Sequence, residues 1–129
     1  MKKYNNILSN YIDISKDIFC KKGIYYIFGD LGVGKTTLIK NFVPQASSPS
    51  YTHCNEYVYN NQRILHLDLY TGIYRELIYD NLDADFILVE WAQYLDKEFF
   101  QNFPGYNIYI DKDHIYFDSK SSDFVSKKN

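Results

Sequence analysis

Gly29-Asp30-Leu31-Gly32-Val33-Gly34-Lys35-Thr36 is the stretch whose reading decides the fold. Ahead of it stands Ile24-Tyr25-Tyr26-Ile27-Phe28, an unbroken run of β-branched and aromatic residues with the pattern of a strand buried on both faces. Behind it, Leu38, Ile39, Phe42 and Val43 fall on one helical stripe over residues 35–43, which Pro44 closes. Strand, glycine loop and helix in that order open a parallel α/β sheet. The glycines let successive backbone N–H groups line a concave nest, and the helix adds its positive end. The spacing predicts that Lys35 reaches the β- and γ-phosphates of a nucleoside triphosphate, while the Thr36 hydroxyl holds a Mg²⁺ ion bridging them.

A loop of this kind needs an acid near the metal, at the end of a neighbouring buried strand. Phe86-Ile87-Leu88-Val89 is such a strand and Glu90 ends it, which makes Glu90 the metal-side candidate. Asp68, at the end of Ile64-Leu65-His66-Leu67, is a second candidate, for orienting water or the metal shell, and reads equally as an ordinary turn residue. His66 shares a face with Asp68 in a regular strand and reads as a half-buried packing histidine.

The remaining segments fit around these. Residues 4–19 carry apolar side chains at mixed helical spacings, and an amphipathic helix is expected. Residues 51–59 and 63–69 read as two strands joined at Asn60-Asn61. A short helix follows over 72–80 and another over 92–100, closed by Pro104-Gly105. The stretches 106–110 and 115–117 alternate as a terminal hairpin. The expected architecture is α/β: a single P-loop NTPase domain over residues 1–118, with a central mixed sheet flanked by helices, antiparallel hairpins, and a polar tail over 119–129.

Bulk properties narrow the function classes. A chain of 129 residues holds one core, and fourteen Tyr and nine Phe supply bulk to fill it. A net charge of −2 with scattered lysines leaves no footprint for DNA or for tight direct binding of RNA, so any RNA connection runs through a partner. No apolar run approaches the length of a membrane span, the N-terminal residues lack a signal-peptide core, and a cytoplasmic address is expected. Cys20 and Cys54 read as reduced, partly buried thiols.

Four blocks taken together are far more specific than the glycine loop alone. Gly29 to Thr37, then Ser48-Pro49-Ser50-Tyr51, then His66-Leu67-Asp68-Leu69-Tyr70, then Val89-Glu90-Trp91 resemble, in order, the signature blocks of the TsaE (YjeE) family. These are small bacterial ATPases of tRNA threonylcarbamoyladenosine biosynthesis. The resemblance spans roughly residues 24–91. It implies a nucleotide site made of Asp30, Leu31, Gly32, Val33, Gly34, Lys35, Thr36 and Thr37, with Thr36 and Glu90 as Mg²⁺ ligands and Asp68 as an essential aspartate near the γ-phosphate. It also implies a switch loop at Ser48, Pro49 and Ser50, where Ser50 replaces the usual Thr and keeps the hydroxyl. Trp91, the single tryptophan, follows the acid as in the family and reads equally as a rim or core aromatic. Thr71 stands where the family has an arginine, with Arg75 one turn on as a possible substitute, and the segments before Ser48 and after Tyr70 are shorter than usual.

The function implied is a Mg²⁺-dependent ATPase, with Lys35, Asp68 and Glu90 as its catalytic set, weak alone and stimulated by partners of the TsaB and TsaD type. Two other readings stand beside it. A small-molecule kinase would use several arginines to neutralise the transferring phosphoryl group, and this chain has only Arg63 and Arg75. A nucleotide sensor without turnover would keep Lys35 and Thr36 but lack a group that orients water.

Overall fold

The computed structural model describes residues 1–30, 32–47, 54–70 and 75–118. In chain order these form β1 (Lys2–Asn5), a 3₁₀ turn (Leu8–Asn10), α1 (Tyr11–Ile18), β2 (Gly23–Phe28), α2 (Lys35–Lys40), β3 (Cys54–Tyr59) and β4 (Gln62–Asp68). There follow α3 (Arg75–Asp80), β5 (Phe86–Glu90), a 3₁₀ turn (Ala92–Tyr94), α4 (Lys97–Asn102), β6 (Tyr106–Ile110) and β7 (His114–Asp118). Among the described residues the strands make one mixed sheet in the order β1-β7-β6-β2-β5-β4-β3. The four central strands are parallel, and β3, β7 and β1 are antiparallel to their neighbours.

The order places the site. β2 pairs with β5 on one side and β6 on the other, through Tyr25↔Leu88 and Tyr25↔Tyr106. Strands from the middle of the chain therefore lie to one side of β2 and the C-terminal hairpin to the other. The crevice at the carboxyl end of β2 is the switch point at which open α/β sheets take ligands.

Side-chain alternation sorts the core into two layers. Tyr25, Ile27, Ile64 and Leu88 face Ile14, Ile18, Leu38 and Ile39 of α1 and α2. Tyr26, Leu65, Leu67 and Val89 face Ile78, Phe99 and Phe100 of α3 and α4. Both faces of β2 are covered, as its continuous apolar run requires. The same alternation turns His66, Asp68 and Glu90 toward the α2 layer, the layer from which the glycine loop delivers Thr36.

Several expectations are corrected. The helix read over 4–19 is confined to Tyr11–Ile18, because Lys2–Asn5 pair with β7 in the register Lys2↔Phe117 to Asn5↔His114. The helix after the loop ends at Lys40; the Asn41 side chain bonds the Thr37 carbonyl at 2.9 Å, and tight turns continue to Val43. The helix read over 92–100 is split, because Asp96 adopts an extended backbone and caps α4 by accepting from Phe99 N–H at 2.9 Å. Cys20 is exposed and Cys54 half-buried, and both thiols are free. The Asn60-Asn61 hairpin forms as read: both residues have positive φ, 52° and 60°, the conformation asparagine tolerates in tight hairpins. The tail, residues 119–129, lies outside the described residues.

Candidate nucleotide and metal site

The loop is built on close approach. Gly34 sits at φ 110°, and a Cβ there would lie 2.4 Å from the Tyr11 hydroxyl, so only glycine lets α1 support the loop from beneath. The Tyr11 hydroxyl bonds Asn6 Oδ1, and Asn6 Nδ2 in turn donates to the Val33 carbonyl at 3.0 Å and the Asp111 carbonyl at 2.6 Å. The residues around the loop are thus held by both the first strand's end and the final hairpin.

Lys35 is folded back over this loop. Its Nζ donates to the Gly29 and Asp30 carbonyls, each at 2.7 Å, and lies 4.0 Å from the centre of the Trp91 ring. Burial pushes its ammonium below the ordinary lysine value, while Glu90, Asp68 and Asp30 push back. Trp91 holds its position at a cost: its backbone is left-handed, φ 60° and ψ 41°, a conformation worth about 1–3 kcal/mol of strain for a bulky residue. Its indole packs against Tyr70 and Tyr94, with ring centres 4.7 and 5.8 Å apart.

On the other side of Lys35 stands a buried polar cluster. Thr36 Oγ1 lies 3.2 and 3.1 Å from the two carboxylate oxygens of Glu90. Asp68 is the register neighbour of Glu90 across β4 and β5, and one of its oxygens accepts from Tyr70 N–H at 2.8 Å. Glu90 is 2% exposed and Asp68 6%, levels at which a carboxylate needs partners or a task. Burial raises the Asp68 carboxyl above its ordinary range; the Tyr70 N–H works against that shift and Glu90 adds to it.

The donor set suits a hard cation. Thr36 and Glu90 offer only oxygen, and Mg²⁺ takes few protein oxygens, completing its shell with phosphate and water. Among the described residues no group of three His, Cys, Asp or Glu side chains gathers to hold a metal unaided. An ion held by Thr36 and Glu90 would need further oxygens to complete its shell. Two hollows border the loop, one of about 350 Å³ beside Asn6, Tyr11, Val33 and Thr37, the other of about 490 Å³ beside Phe28, Asp30, Gln93 and Ile110. A wider cavity of about 630 Å³, between Tyr4, Asn10, Asp13 and Asp17, contains none of the cluster.

Of the residues singled out from sequence, Lys35, Thr36, Asp68, Glu90 and Trp91 converge. Asp30, Gly32 and Thr37 are exposed along the loop, and Val33 and Gly34 are half-buried. Leu31, Ser48, Pro49, Ser50 and Thr71 lie outside the described residues. The Arg75 guanidinium pairs with Asp96 at 2.7 Å near the surface. His66 is the main correction. Far from half-buried packing, it is fully enclosed, with Nε2 2.5 Å from Glu90 Oε2. The signal lay in its setting, since a histidine between Leu65 and Leu67 on a two-sided strand must find a polar partner. Asn6 and Tyr11 were missed because only the folded sheet brings them to the loop.

The sequence pattern of the family described as threonylcarbamoyl adenosine biosynthesis protein TsaE matches residues 5–121. The chain belongs to the TsaE family. Membership gives it a role in threonylcarbamoyladenosine biosynthesis and implies nucleotide binding. The fold agrees with that of a solved structure, Bacillus subtilus YdiB, at a TM-score of 0.68 and 22% identity, covering 98% of this TsaE chain and 92% of the other. Among the described residues no helix is long and apolar enough to cross a membrane.

Proposed function

We propose that the protein is a Mg²⁺-dependent ATPase that supports formation of N6-threonylcarbamoyladenosine at position 37 of tRNA by acting on a TsaB/TsaD-type complex. The observation that carries this reading is the meeting of Thr36, Glu90 and Asp68 within the buried layer beside Lys35, at the switch point of the sheet. Lys35 exchanges its two carbonyl partners for β- and γ-phosphate oxygens when nucleotide enters, moving positive charge onto the transferring group. Thr36 and Glu90 would hold Mg²⁺, which would supply charge neutralisation at the phosphates. Asp68 keeps one oxygen on Tyr70 N–H and turns the other to the attacking water, which adds to the γ-phosphorus as the bond to the ADP oxygen breaks. The loop at 48–50 releases its grip on the partner complex as the γ-phosphate contact is lost, and tRNA is met only through that complex.

Both arginines support hydrolysis over kinase chemistry. Arg63 is paired with Glu56 and Asp83, and Arg75 with Asp96, so bringing either to a transferring phosphoryl group would first break these surface pairs. The deciding measurement is phosphate release by the chain alone, with TsaB- and TsaD-type proteins, and with small phosphate acceptors. Release that rises with the partner proteins, and falls about 100-fold in Glu90→Gln with the melting temperature kept, is expected. Acceptor-dependent ADP formation would instead identify a kinase, and no release under any condition a sensor. In cells depleted of the protein, tRNA should lack the threonylcarbamoyl group.

A further inference from the structure

His66 has no part in the scheme above, yet it is the most enclosed polar side chain beside it, at 0% exposure. Its two ring nitrogens are both engaged. Nε2 lies 2.5 Å from Glu90 Oε2, and Nδ1 faces the Tyr57 hydroxyl at 3.4 Å, the long end of hydrogen-bond range. That hydroxyl is itself fixed, accepting from Ser47 N–H at 3.0 Å and Asn55 Nδ2 at 3.2 Å and donating to the Ser47 carbonyl at 3.2 Å. The same Glu90 oxygen lies 3.1 Å from Thr36 Oγ1. A line of contacts therefore runs from Tyr57 on β3, through His66 on β4, to Glu90 on β5 and Thr36 at the start of α2.

We infer that His66 is a positioning residue for Glu90: its Nε2–H donates to the carboxylate, the Tyr57 hydroxyl packs against the far side of the ring at Nδ1, and together they aim Glu90 at the metal position beside Thr36. The tautomer follows from the partners. A carboxylate oxygen serves as acceptor in the contact with Nε2, so Nε2 is the nitrogen that carries the proton there. A carboxylate with a single buried donor fixed on one oxygen cannot rotate freely, and such outer-shell bonds to metal ligands typically set affinity by ~10–100-fold. The spacing of the strand explains why histidine serves here. His66 pairs in register with Leu88, two residues short of the Glu90 neighbour Asp68, and only a side chain that reaches forward along the face meets the Glu90 carboxylate.

This inference rests on the proposed Mg²⁺-nucleotide site, and the test separates the two. ATP binding to the full chain is measured by calorimetry with Mg²⁺ and with EDTA, for the unsubstituted protein and for His66→Gln, His66→Asn and Tyr57→Phe. In the unsubstituted chain Mg²⁺ tightens binding; no tightening overturns both the site reading and the role of His66. His66→Asn, too short to reach Glu90, is expected to lose about tenfold of the Mg²⁺-dependent affinity with the EDTA value unchanged. His66→Gln, whose amide nitrogen can take the place of Nε2, recovers most of it, and Tyr57→Phe loses a smaller part. Equal losses with and without Mg²⁺, or a Gln variant no better than Asn, overturn the positioning role while leaving the nucleotide site standing. Should the Asn variant fail to fold, ¹⁵N spectra of the imidazole in the unsubstituted chain decide. The Nε2–H tautomer is expected, and the Nδ1–H tautomer overturns the proposal.

Discussion

At the start of β4 Arg63 lies near the surface, its guanidinium shared between Glu56 at 2.5 Å, Asp83 at 3.1 Å and the Asn81 side chain. At the other end of the same strand Asp68 is buried beside Glu90, and His66 before it is wholly enclosed. One strand thus carries charge at both ends in opposite settings. Water screens the Arg63 cluster, whose members hold each other in place with modest effect. No such screening reaches Asp68, whose carboxyl is pushed toward the neutral form. Charge that the fold tolerates at a cost, in a layer otherwise made of Ile, Leu and Tyr, is what recommends this end for the proposed chemistry.

Substitutions can break or sharpen this contrast. The largest effect is expected from Lys35→Ala, which removes the cation common to loop and cluster: ATP affinity should fall roughly 100-fold, about 3 kcal/mol, by calorimetry. Emission from Trp91, the single tryptophan, should change on nucleotide binding in the unsubstituted chain as Lys35 leaves its ring, and stay constant in the variant.

Asp68→Asn comes next and should separate stability from function. The folded state holds the Asp68 proton more tightly than the unfolded chain does, so this group's stabilisation is complete below the ordinary aspartate range and is lost as pH rises through the raised value. At neutral pH the Asn variant should therefore melt higher, by roughly 2–5 °C, while its phosphate release falls. A variant that melts lower at neutral pH would mean that the buried charge is compensated. The smallest effect belongs to Arg63→Ala: ATP affinity should change less than about twofold, and the melting temperature should shift little and lose its salt dependence. A large loss of affinity there would erase the distinction between the two ends.

How far the sequence carried this reading depends on where each residue's partners lie. β2, the glycine loop and the Asn60-Asn61 turn are decided by neighbours in the chain, and each was legible. Lys2–Asn5 are polar and exposed on an edge, and only β7, more than a hundred residues away, makes them a strand. The split before α4 turns on one capping side chain, Asp96, competing with the apolar pattern of 92–100. In the site, Lys35, Thr36, Asp68 and Glu90 were named because motif spacing and strand ends expose them. His66 was seen and given the wrong task, since which nitrogen meets which carboxylate depends on register between two strands.

The support of the glycine loop also dictates when it can exist. Asn6 bridges the Val33 carbonyl to Asp111, and Tyr11 props Gly34, so the cradle's foundations include a turn near the end of the sequence. A nascent polypeptide emerging from the ribosome has the glycine loop by residue 37, yet it must wait until Asp111 in the closing hairpin has been translated before that brace can form.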